Sequence, residues 1–166
     1  EIRVSTINGL PAHVLLVHFI VVLAPLTALL AIVSSIWAPV RRRLVWLIVV
    51  LAVLTLALTP LTTDAGEWLE KRVPEGASVQ THAELGDSML YFALGLALVA
   101  ALLVAQHIRD RRGTRPVRWQ SIAVAVLAVV VGVATMVQVY RIGESGARAA
   151  WEDAVSSAPA PVDPVK

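Results

Sequence analysis

Four uninterrupted apolar runs divide the chain: Val14–Trp37, Leu44–Thr62, Met89–Ala105 and Ile122–Val139. Each comes close to the ~20 residues that a helix needs to cross a hydrocarbon core of ~30 Å. None alternates apolar and polar positions as a barrel strand does, and in lipid only helices and closed barrels satisfy their own backbone. The pattern predicts an all-α protein with four transmembrane helices over residues 14–37, 44–62, 88–106 and 120–140. Short connections after the first and third runs favour antiparallel neighbours and therefore an up-down bundle. Residues 1–155 read as one membrane domain, and the Pro- and Ala-rich segment 156–166 as an extended tail. Pro25 interrupts the first run and is expected to kink it, whereas Pro60 is expected to close the second helix. Ser34, Ser35, Gly95 and Gly132 permit close helix contact. The first run is of spanning length and lacks the short basic lead of a cleavable signal peptide, so it is expected to remain in the protein.

Composition agrees with this pattern: 57% of the 166 residues are hydrophobic. The absence of cysteine excludes disulfides, thiolate metal sites and covalent c-type haem attachment. Arginine far outnumbers lysine, which points to a high-GC bacterial genome and so to the plasma membrane. The basic residues lie beside the spans, so the positive balance reflects topology and not nucleic acid. Arg41, Arg42 and Arg43 follow the first span; Arg109, Arg111, Arg112, Arg115 and Arg118 follow the third. These two connections carry eight bases against the single acid Asp110, while the opposite side carries six bases against eleven acids. The positive-inside rule then puts the arginine loops in the cytoplasm and both termini outside, together with the loop from Asp64 to Asp87. Trp37 and Trp46 suit the cytoplasmic interface.

Polar chemistry gathers on the side opposite the arginines. Ionisable groups within spans are costly, so the four histidines are the first candidates for function. His18 sits inside the first apolar run and is expected to face the bundle interior; His82 opens the third helix. The two come from different helices and can ligate a b-type haem axially, with the bundle as its apolar sleeve. His13 rivals His18, but a spacing of five turns the two about 140° apart on an ideal helix. A non-haem metal is the second chemistry, with His13, His18, His82, Glu67 and Glu144 as its candidate ligands, since imidazole and carboxylate suit zinc, iron or copper. Proton or ion transfer along the His and Glu groups is a third use, and an empty site is also open. His107 lies at the arginine end and reads as interfacial. The acids Glu67, Glu70, Glu84 and Asp87 also read simply as solvated loop charges, and Glu67 with Lys71 as an ordinary i,i+4 pair.

Several ordered motifs resemble a bacterial membrane family, domain of unknown function 2231. They are Gly9-Leu10-Pro11-Ala12-His13 through His18; Gly66-Glu67-Trp68-Leu69-Glu70 with Val73-Pro74; His82-Ala83-Glu84-Leu85-Gly86-Asp87; and Gly143-Glu144-Ser145-Gly146-Ala147 with Trp151. The resemblance covers residues 9–151 and implies a four-helix fold, redox company and a role for His13, His18, Glu67 and His82. Two positions depart from the family pattern. Val14 stands where proline is usual, and Glu144 stands where histidine is expected.

No nucleophile triad, P-loop or zincin motif is present. The sequence therefore predicts a membrane subunit with no catalytic activity of its own, haem- or metal-binding and associated with electron transfer. The alternative is a non-catalytic accessory subunit. In either case the expected partners are the lipid bilayer and other membrane protein subunits.

Overall fold

The computed structural model describes residues 6–7, 9–73, 76–113 and 118–156. A small antiparallel hairpin opens it, β1 (Thr6–Ile7) against β2 (Leu10–Pro11), turning at Gly9 with φ 81°. Only glycine adopts that left-handed backbone without strain. Four helices follow: α1 (Ala12–Ile36), α2 (Ala38–Glu70), α3 (Ala77–Arg111) and α4 (Arg118–Ser156). Each packs on its neighbours in sequence, α4 closes back on α1, and α1 meets α3 more sparingly across the bundle. The fold is the all-α up-down bundle that the apolar runs predict. All four helices are long and apolar enough to span a membrane, so this is a multi-pass membrane protein.

The helices outrun the apolar segments. At ~1.5 Å per residue, the 33, 35 and 39 residues of α2, α3 and α4 exceed a bilayer core by a wide margin. The polar segment expected as a loop from Asp64 to Asp87 is mostly helical: α2 continues to Glu70 and α3 begins at Ala77. Pro60 does not end α2, which runs on for ten further residues to Glu70. Just past it two hydroxyls bond back onto the preceding turn, Thr62 to Leu58 O (2.7 Å) and Thr63 to Pro60 O (3.0 Å). α1 likewise passes through Pro25 as one helix. At the arginine end Trp37 alone separates α1 from α2, so Arg41–Arg43 lie in the opening turns of a helix and not in a loop. Pro39, near the start of α2, suits a position where backbone N–H groups have no helical partner. Arg115, Pro74, Glu75 and the tail from residue 157 onward lie outside the described residues.

Small side chains bring the helices together. Ala24, Ala28, Ala31, Ala52, Ala93, Ala100 and Ala128 are all buried. A Cβ on Gly132 would lie 2.7 Å from the end of the Ile32 side chain, so the glycine leaves room for Ile32 of α1 to pack against α4. Thr27, Thr55, Thr59 and Thr135 are fully or almost fully buried, and each donates its hydroxyl to the carbonyl four residues earlier. The polar atoms are thereby satisfied within their own helices. Gln138 adds a bond between helices, donating to Leu85 O (2.9 Å) and Ser88 Oγ (2.8 Å) on α3. The outward faces are apolar, as on α4 with Val126, Val130, Val133 and Val137, and suit lipid tails.

A candidate two-histidine site and a buried ion pair

The first turn of α1 places His13 on the inner face of the bundle. Its Nδ1–H donates to the carbonyl of Thr62 on α2, at 2.9 Å. A carbonyl can only accept, so the partner assigns a proton to Nδ1, and Nε2 has no hydrogen-bond partner among the described residues. Gly66, one turn further along α2, faces the same ring: a Cβ there would stand 2.9 Å from His13 Nδ1. The ring fits because position 66 has no side chain.

The first turns of α3 repeat this arrangement against α4. His82 Nδ1 lies 3.1 Å from Ser145 Oγ, and Ser145 donates its own proton to Ile142 O at 3.0 Å. With its proton on Ile142 O, the Ser145 hydroxyl is able to accept from His82 Nδ1–H, and the Ile142 backbone lies within hydrogen-bonding reach of the same ring. A Cβ on Gly146 would lie 2.9 Å from His82 Cε1. The two imidazoles meet edge to face, with centroids 6.0 Å apart and planes at 85°. Each helix has one part in the site: α1 and α3 supply the rings, while α2 and α4 supply an acceptor and a glycine surface.

The remaining candidates lie apart from this pair. His18, expected to face the interior, is exposed on the outward face of α1, and its Nδ1 bonds back to Val14 O. Ile20, Ala24, Thr27, Ala28, Ala31 and Ser34 mark the buried face of α1. His13 lies two turns before Ile20 and shares that face, whereas His18 lies only two residues before it and points away. Glu67, Glu70, Glu84 and Asp87 are exposed. Glu144 is exposed as well and pairs with Arg148 at 2.7 Å on its own helix. Among the described residues no three histidines, aspartates or glutamates converge to hold a metal ion. The donor set brought together is two imidazoles with no carboxylate. That set suits haem iron or copper and not magnesium or calcium.

The opposite end has its own buried polar chemistry, which the charge pattern alone did not reveal. Arg41 is buried, donating to Asp110 Oδ2 on α3 at 2.7 Å and to Ser34 O on α1 at 3.1 Å. His107, expected at the interface, is buried one turn before Asp110. Arg41 Nε, Ser34 Oγ, His107 Nδ1 and the Gln106 amide are buried with no hydrogen-bond partner among the described residues. The missed residues on the histidine side are Thr62, Gly66, Ser145 and Gly146. Their available signal was the pair of glycines in otherwise helical segments, where glycine costs about 1 kcal/mol against alanine.

Comparison with known proteins supports the fold and the motifs together. Residues 9–159 match the family described as "Predicted membrane protein (DUF2231)". No curated protein and no solved structure matches the chain. The family match spans nearly the whole sequence and includes both histidine-bearing helices with the glycines that face them, so the chain belongs to the DUF2231 family of membrane proteins.

Proposed function

We propose that the protein is an integral membrane subunit that binds a haem b or a redox-active metal ion through His13 and His82 and takes part in electron transfer. One observation carries the reading: two imidazoles from different helices meet at the same end of the bundle, each with Nδ1 held by a protein oxygen, Thr62 O for His13 and Ser145 Oγ for His82. Histidines that ligate metals characteristically hold their other ring nitrogen in this way, because the second bond fixes tautomer and orientation. A bound haem or metal would supply the one-electron couple. The chain's own part is to present the rings, hold each at Nδ1 and keep carboxylates out of the donor set. The visible spectrum of detergent-purified protein, oxidised and then dithionite-reduced, together with elemental analysis, tests the reading. The expected result is a haem or metal signal that His82→Ala removes. Wild-type protein with neither signal overturns it.

Orientation belongs to the same proposal: the arginine end faces the cytoplasm. The support is the concentration of bases at one end of the bundle and acids at the other. With no native cysteine, single cysteines at Lys71 and Arg112 can be labelled against a clean background. In intact cells an impermeant maleimide is expected to label position 71 and spare position 112.

A second reading, a non-catalytic accessory subunit of a larger membrane assembly, is favoured by the length of α2, α3 and α4 beyond their apolar segments. That length offers a helical docking surface outside the bilayer. This reading predicts that a His13→Ala/His82→Ala protein still migrates in the same high-mass assembly on native gels of host membranes.

A further inference from the structure

The arginine end carries an unusual imbalance that the proposed function does not use. Arg42 and Arg43 in the opening turns of α2, Arg111 and Arg112 at the end of α3, and Arg118 at the start of α4 are all exposed. The one carboxylate at that end, Asp110, is taken up by the buried Arg41. Among the described residues, none of these five exposed guanidiniums forms an ion pair. Trp37, Trp46 and Trp119 are exposed at the same end, within a few residues of Arg42, Arg43 and Arg118. Exposed tryptophans settle at the headgroup level of a bilayer. They therefore set the depth of the neighbouring arginines at the lipid phosphates, where a planar guanidinium can grip two phosphate oxygens at once.

We propose that this end of the bundle is a binding surface for anionic phospholipid headgroups, with arginines from α2, α3 and α4 holding the phosphates. The occupant is lipid because the rings that flank the charges face outward and are apolar. The buried Arg41–Asp110 pair contributes by removing the only carboxylate that would otherwise compete for, or repel, an anionic headgroup. This inference is independent of any cofactor at the histidine end.

The test uses the full-length protein in nanodiscs of phosphatidylcholine mixed with phosphatidylglycerol, and spin-labelled lipids that report the fraction immobilised at the protein. Phosphatidylglycerol is expected to be preferred by at least about threefold, a preference that shrinks as salt screens the charges. A variant with all five replaced, Arg42→Gln/Arg43→Gln/Arg111→Gln/Arg112→Gln/Arg118→Gln, is expected to bring the ratio close to unity. Lys71→Gln/Arg141→Gln, which removes charge at the other end, is expected to leave it unchanged. Equal immobilisation of the two lipids by wild-type protein overturns the proposal, and that measurement needs no variant to fold. A preference that survives the five-site variant, or one lost in the Lys71/Arg141 variant, also overturns it.

Discussion

The two ends of the bundle bury polar groups in opposite ways. At the histidine end both rings are neutral-capable groups, each held at Nδ1 by a protein oxygen and pressed against a glycine, and the two rings face each other. At the arginine end a full charge is buried and compensated by a full countercharge, while neighbouring polar atoms of Ser34, Gln106 and His107 go unpartnered. The first arrangement leaves ligand capacity in hand; the second uses its capacity to bind α2 to α3 and α1. Burial alone therefore does not mark the candidate site. What marks it is a pair of rings, each held at Nδ1, that face each other.

The ion pair gives the largest expected effect. Asp110→Ala leaves Arg41 buried without its countercharge and is expected to cost about 3 kcal/mol. Replacing both partners with apolar residues is expected to recover most of that loss, because no orphaned charge remains. Denaturation in detergent, followed by circular dichroism, measures both. If the single and double variants lose equal stability, the pair is not acting as a buried, mutually dependent unit.

The glycines sharpen the contrast by the sign of their effects. Gly66→Ala and Gly146→Ala gain helix propensity but push a methyl group into an imidazole, so a net loss of about 1 kcal/mol is expected. Gly86→Ala meets nothing within 4 Å and is expected to stabilise α3, by up to about 1 kcal/mol. If all three substitutions stabilise, the rings are not packed against α2 and α4 as described. Ser145→Ala, which removes the acceptor for His82, is expected to cost about 1 kcal/mol in the same assay. The smallest effect is expected at His18: on an exposed face, His18→Ala should stay within about 0.5 kcal/mol of wild type.

The fold was legible where hydropathy is the controlling force. Four apolar runs of spanning length admit few alternatives to four helices, and short connections admit few alternatives to antiparallel order. The extramembrane turns were not legible. Residues such as Asp64, Glu67 and Glu84 carry the polarity of a loop, yet they form the exposed faces of helices whose other faces bury Ala65 and Met89. Proline at position 60 misled for a related reason: tertiary packing can outweigh the loss of a single backbone bond.

The choice between His13 and His18 was partly legible. The small residues Ala24, Ala28, Ala31 and Ser34 trace one face of α1, and extending that face backward reaches His13. The depth of His18 in an apolar run competed with that signal and pointed the other way. The partners of the rings could not be read at all. Thr62 acts through its main-chain carbonyl, which leaves no mark on residue type, and Arg41 meets Asp110 across 69 positions of sequence.

The most direct test of the central claim compares cofactor content in three purified proteins: wild type, His13→Ala and His18→Ala. The account predicts a haem or metal signal in wild type that survives in His18→Ala and disappears in His13→Ala. A signal lost with His18 but kept without His13, or absent from wild type altogether, would contradict it.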